Sequence, residues 1–124
     1  SRIALFMNTE QLDQQASRLA PFFRSYFLPE NPVTFQFNFD DADPFHLTVD
    51  HAEFVFKPGY AQTPTLSLWL DQPTTLWRLL EGRLDGMDAF LTGQYRADGN
   101  IVLSQLLLYL FQSPEPVLAH DISD

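Results

Sequence analysis

The feature that most limits this chain is a set of four runs with a period of two. Val33, Phe35, Phe37 and Phe39 alternate with Thr34, Gln36 and Asn38. Phe45, Leu47 and Val49 alternate with His46, Thr48 and Asp50, and Ala52, Phe54 and Phe56 with Glu53, Val55 and Lys57. Leu66, Leu68 and Leu70 alternate with Thr65, Ser67 and Trp69. Successive side chains on a strand point to opposite faces. The runs therefore predict a sheet with one face of Phe and Leu and the other largely polar. Such a sheet needs helices on its apolar side only. The acidic stretch Asp40-Asp41-Ala42-Asp43-Pro44 and the pair Pro58-Gly59 carry the turn chemistry that separates the runs.

The flanking segments follow the helical period. Leu12, Ala16, Leu19, Ala20, Phe23 and Phe27 predict one apolar stripe in a helical segment over 8–28. Asn8 and Gln11 are the two halves of a capping box, with Met7 and Leu12 at the staple positions. The Pro21 ring would clash with the Ser17 carbonyl, which predicts a kink or a restarted short helix. Leu28-Pro29-Glu30-Asn31-Pro32 ends the segment. Downstream, Pro73 or Thr74 opens a helix containing Leu76, Trp77, Leu79 and Leu80, closed by Gly82. Residues 87–92 read as a second short helix, with Asp85 and Asp88 favouring its N-terminus and Gly93 closing it. Residues 94–97 suit an edge strand, and Asp98-Gly99-Asn100 a turn and cap. A last helix is predicted over 101–111, stopped by Ser113-Pro114-Glu115-Pro116, with a loose tail over 113–124.

Composition excludes several function classes. The 124 residues suit one domain spanning 1–124, with its core in about 33–111. Sixteen acids against seven bases give a net charge of −9, which argues against nucleic acid and against docking by charge on anionic lipid. There is no cysteine, so disulfides, thiolate metal sites and a Cys nucleophile are excluded. No apolar run reaches the roughly 18 residues that a membrane-spanning helix needs. The start of the chain is too short for a secretory core, and the last three residues are not a peroxisomal address. A cytoplasmic protein is the expectation.

The residues also argue against catalysis. There is no nucleophile elbow, no phosphate-cradling glycine loop and no His-Glu-x-x-His motif. His46, Asp50 and His51 have ligand types that suit zinc, but solvated residues on the polar sheet face account for them better. The acidic turn Asp40, Asp41 and Asp43 lacks the Gly and terminal Glu of a calcium loop. No metal, cofactor or catalytic residue is expected.

The informative segment is the last helix. Ile101, Val102, Leu103, Leu106, Leu107, Leu108, Tyr109, Leu110 and Phe111 point in nearly every direction, with only Ser104 and Gln105 between them. A surface helix should carry a stripe rather than an apolar cylinder. One side can pack on the sheet; the other must meet a second helix layer, a partner chain or an apolar ligand. Trp77, Leu80, Phe90 and Leu91 add to the same surplus. An interior of this kind that does not close on itself can hold a fatty ligand, at about 25 cal/mol per Å² of apolar area removed from water.

The order of elements and the segment from Leu79 to Asn100 resemble the sterol carrier protein type-2-like domain family. That segment is similar to the family's run of two leucines, a Gly, an Asp-Pro turn, an Ala before an apolar pair, a Gly, a short strand, and Gly-Asp or Gly-Asn before the final helix. Gly82, Ala89, Phe90, Gly93, Gly99 and Asn100 match position by position. Gly86 stands where the family often has Pro, a departure expected only to loosen a turn. The resemblance covers about 33–111. It implies an α+β fold: a five-stranded, mostly antiparallel sheet with helices on one face and an apolar tunnel between them. It also implies non-enzymatic binding of a hydrophobic small molecule, a fatty acyl, sterol-like or isoprenoid lipid. Wall candidates are Trp77, Leu80, Phe90, Leu103, Leu107, Leu110 and Phe111, each of which plain core packing would also explain. Trp69 shares a strand face with Ser67 and is left outside. The alternative is an interaction module, in which the apolar last helix meets a second copy or a partner enzyme. Domains similar to this one occur fused to alkyl sulfatases and among accessory factors of quinone biosynthesis.

Overall fold

The structure is a computed structural model that describes residues 8–28 and 32–111. Met7 of the expected staple and the expected tail over 113–124 lie outside the described residues. The first helix, α1 (Thr9–Leu19), begins with the capping box: the Asn8 side chain accepts from the Gln11 N–H, and the Gln11 side chain accepts from the Asn8 N–H. At Pro21 the chain tightens into a 3₁₀ turn, Ala20–Phe22, as expected of a proline that cannot continue an α-helix. Leu12 and Leu19 are buried, while Ala20, placed on the expected stripe, is exposed because the tighter turn rotates it outward.

Four strands follow: β1 (Val33–Phe39), β2 (Phe45–Asp50), β3 (Glu53–Pro58) and β4 (Leu66–Leu70). Two helices, α2 (Pro73–Leu80) and α3 (Gly86–Leu91), lead to β5 (Tyr95–Asp98) and α4 (Ile101–Leu107). The sheet order is β3-β2-β1-β4-β5, and only β1 and β4 run parallel. The register places Phe35 opposite Leu47 and Leu66, and Phe37 opposite Phe45 and Leu68, so the apolar positions stack into one face. α1 packs against β3, and α4 against β4 and β5. The core clusters on that side: Val33, Phe35, Phe37, Phe45, Leu47, Val49, Leu66 and Leu68 are at most 2% exposed.

The parallel pair has a topological cost. The connection from β3 must cross β2 and β1 to reach β4, and the helices already occupy the apolar face. It therefore crosses the polar face. Gln36 is buried beneath it, donating to the Phe45 carbonyl at 3.2 Å and accepting from the Ala61 N–H at 2.8 Å. The Nδ1–H of His46, the cross-strand partner of Gln36, donates to the Gly59 carbonyl at 3.0 Å. The two-sided sheet read from the sequence is thus partly covered on its polar side as well.

Several boundaries differ from expectation. β3 begins after Ala52, which lies exposed in the hairpin turn rather than on the apolar face, and α3 begins and ends one residue before the 87–92 run. β5 begins and ends one residue later than the 94–97 run. α4 stops at Leu107 rather than 111. Beyond it Leu108, Tyr109 and Leu110 donate to the carbonyls of Gln105, Leu106 and Leu107, the i→i+3 bonds of a tightened last turn. That tightening turns Leu110 and Phe111 into the core and leaves Tyr109 half exposed. The apolar cylinder of the sequence is split accordingly: Leu103 and Leu107 are buried, Ile101 and Val102 exposed.

Candidate functional site

The space between sheet and helices is occupied by rings. Phe45 projects from β2, and Trp77 comes down from α2 to stack on it, with centroids 5.4 Å apart and planes within 8°. Trp77 also meets Phe56 of β3 edge-on at 5.3 Å. Phe56 continues to Phe111 at 6.5 Å, and Phe111 to Phe54 at 4.9 Å and Phe23 at 5.6 Å. The series joins the middle of the sheet to the segment after α1 and to the end of the described chain. It exists because the period-two pattern aims every second Phe inward, and because the 3₁₀ turns after α1 and α4 swing Phe23 and Phe111 over β3. Ring contacts of this geometry add about 0.5–1.5 kcal/mol each beyond the area they bury.

Two hydrogen bonds to backbone carbonyls hold these segments together. The Arg24 N–H donates to the Leu110 carbonyl at 2.8 Å. The Ser25 hydroxyl donates to the carbonyl of His51, a residue held at φ 53° in the β2–β3 hairpin. His51 is therefore a turn residue with its Nε2 3.8 Å from Asp50, while His46 straps to Gly59; among the described residues no three His, Asp or Glu side chains group as metal ligands.

A second group lies under α3 and α4. Asp85 caps α3 through the Asp88 N–H at 3.0 Å, and Asn100 caps α4 through the Leu103 N–H at 3.1 Å. These caps fix the helices so that Phe90 meets the ring of Tyr95 at 5.6 Å. Tyr95 is buried, and the Gln105 side-chain amide donates to its hydroxyl at 2.9 Å. The Ser104 hydroxyl, fully buried, donates to the Ile101 carbonyl at 2.7 Å. Burial pushes the Tyr95 phenol above its usual range; hydrogen bonding with Gln105 and Ser104 opposes that shift.

Of the seven wall candidates, Leu80, Leu103, Leu107, Leu110, Phe111 and Trp77 are buried in one cluster, with Phe90 packed at its edge. Trp77 and Phe111 are joined through Phe56; Phe90 belongs with Tyr95. Trp69 does lie on the other face, with the Arg96 guanidinium 5.1 Å above its ring. Phe23, Phe45, Phe54 and Phe56 were legible as core residues but not as neighbours of Trp77 and Phe111. Tyr95, Ser104 and Gln105 were missed. Their only signal was the inward register of Tyr95 and the two polar residues that interrupt the last helix. Glu81 pairs with Arg18 at 3.5 Å and Arg83 at 3.2 Å. A groove on the outside of α1 is lined by Thr9, Glu10, Asp13, Gln14 and Ser17, all exposed and polar.

A family model described as the SCP-2 sterol transfer family matches residues 31–112, more than half of the chain. The chain belongs to this family. Among curated proteins none matches. Among solved structures, the sec-alkylsulfatase Pisa1 from Pseudomonas sp. is similar with a TM-score of 0.63 and 20% identity, over 79% of this chain and 16% of the sulfatase. The chain thus spans a small part of that enzyme. The UbiJ-SCP2 ubiquinone synthesis protein is similar with a TM-score of 0.58 and 15% identity, over 80% of this chain and 88% of that one. Palmitated SCP2L2 from Aedes aegypti is similar with a TM-score of 0.57 and 17% identity, over 85% and 95% of the two chains. At these identities the likeness shows the SCP-2 fold. Among the described residues no helix is long and apolar enough to cross a membrane.

Proposed function

We propose that this SCP-2 domain binds and carries a lipid in the cytoplasm without transforming it. The guest lies in an apolar tunnel between the sheet and the helices, walled by Trp77, Leu80, Phe90, Leu103, Leu107, Leu110 and Phe111. The observation that carries the reading is the ring series from Phe45 through Trp77 and Phe56 to Phe111, in a chain of the sterol transfer family. Its rings are stacked edge and face rather than bonded to polar partners. Parting them for a hydrocarbon exchanges one set of apolar contacts for another, with no hydrogen bond broken within the series. The palmitated state of the Aedes aegypti neighbour is consistent with an acyl guest. Native mass spectrometry of the purified protein should find a co-purified lipid, or titration with the uncharged fluorophore diphenylhexatriene should saturate at one equivalent. Apo protein alone, with no diphenylhexatriene bound, defeats the reading.

A second reading is favoured by Ile101 and Val102, which α4 leaves 44% and 63% exposed. They suit a face for a second copy or for an enzyme subunit, and the ubiquinone synthesis and sulfatase neighbours give that reading a setting. A monomer at micromolar concentration in sedimentation velocity removes the self-association version.

A further inference from the structure

We propose that Tyr95 and Gln105, braced by Ser104, form a polar anchor for the uncharged, hydroxyl-bearing head of the lipid. The inference rests on the lipid-binding reading and names the chemistry of its polar end. Three polar side chains stand among apolar wall positions. Tyr95 touches Phe90 on one side, and Ser104 and Gln105 lie on α4 between Leu103 and Leu107. Leu at the buried positions 95 and 104 would fill the same region with no polar group to satisfy, so their presence needs a reason, and the partly buried Gln105 reaches in to bond the phenol. Two of the three roles are structural. The Ser104 hydroxyl is held by the Ile101 carbonyl, and the Tyr95 oxygen accepts from Gln105. The third is not. The Gln105 Oε1 accepts no hydrogen bond among the described residues, and its amide keeps a second N–H. One half-buried amide therefore offers an acceptor and a donor side by side, beside a phenol that remains protonated at neutral pH. That pair matches a hydroxyl, which donates once and accepts once.

The same chemistry disfavours a carboxylate head. Anions in a water-poor site need a cation or several N–H donors. Arg96, the base next to Tyr95 on β5, stands on the opposite face over Trp69. A site built to bond a hydroxyl discriminates sharply against an analogue that lacks it, because its own polar atoms are then left unpaired.

The test displaces the headless fluorophore diphenylhexatriene from the protein with hexadecan-1-ol, hexadecanoate or hexadecane. Wild-type protein should prefer the alcohol to the acid at pH 7. Gln105→Leu and Tyr95→Phe should each weaken the alcohol about tenfold, the equivalent of one hydrogen bond in a partly buried site, and leave hexadecane unchanged. Diphenylhexatriene binding reports that each variant still folds. Equal loss for alcohol and alkane, or no loss for either, makes the trio a packing clamp and overturns the anchor while the lipid reading stands. A wild-type preference for hexadecanoate also overturns it. Wild-type protein that binds none of the four probes removes the lipid reading itself.

Discussion

At the residue scale, Gly86 corrects an expectation. The family resemblance implies a glycine that only loosens a turn, yet it is the first residue of α3, and a Cβ there would lie 2.2 Å from Leu108 Cδ1. The close approach lets the segment after α4 lie directly on α3. Gly86→Ala should destabilise the fold by about 1–3 kcal/mol, the usual effect of overpacking, although alanine is the better helix former. Urea unfolding of the variant measures it; unchanged stability means Leu108 turns aside freely. Gln36 makes a second case. Its side chain is the polar link between β1 and the crossover loop, so Gln36→Leu strands the Ala61 N–H. A loss of about 1–3 kcal/mol is expected, with amide exchange at Ala61 accelerated more than exchange in β2. Tyr95 sets a pH dependence. Its pKa is raised above 10.0 in the folded protein, so the folded state holds the phenolic proton more tightly than the unfolded chain. That contribution is complete below the unfolded pKa and is lost as pH rises through the higher folded one. Denaturation midpoints should fall above about pH 10 in wild-type protein, and the fall should be smaller in Tyr95→Phe.

At the element scale, the strands were legible and the end of α4 was not, for one physical reason. A period of two states which side chains share a face, and burial on one face then fixes the register, because a one-residue slip would turn Phe35 and Phe37 outward. An all-apolar run such as Leu106 to Phe111 has no period, so nothing local separates a continuing helix from a turn. The turn is set by tertiary partners: the Arg24 N–H on the Leu110 carbonyl, and Phe23, Phe54 and Phe56 around Phe111. The same limit hid the ring series. Trp77 and Phe111 are 34 positions apart in sequence and meet only through Phe56. Caps were legible because they are local. Asn100→Ala should cost about 1 kcal/mol, and because α4 carries Ser104 and Gln105, its fraying should appear first as exchange of the amides from Leu103 to Gln105. Protection equal to wild type there would show that sheet packing alone holds the helix.

At the scale of the whole molecule, charge and greasiness pull in different directions. A carrier has to meet a bilayer to load or unload, and the exposed Ile101, Val102, Leu91 and Met87 offer apolar area for such a meeting. The chain nevertheless carries a net charge of −9, which an anionic bilayer repels over about 8 Å at physiological ionic strength. The two effects respond differently to salt. Screening weakens the repulsion and leaves apolar contact nearly untouched, so salt separates them in one experiment. Transfer of a fluorescent alkanol from the protein to phosphatidylcholine vesicles should be nearly independent of sodium chloride between 0.01 and 0.5 M, about 30 to 4 Å in screening length. Transfer to vesicles containing phosphatidylserine should start slower and rise with salt toward the same rate. A rate that instead falls with salt on anionic vesicles would mean that a local basic surface governs docking, against the sign of the molecule as a whole.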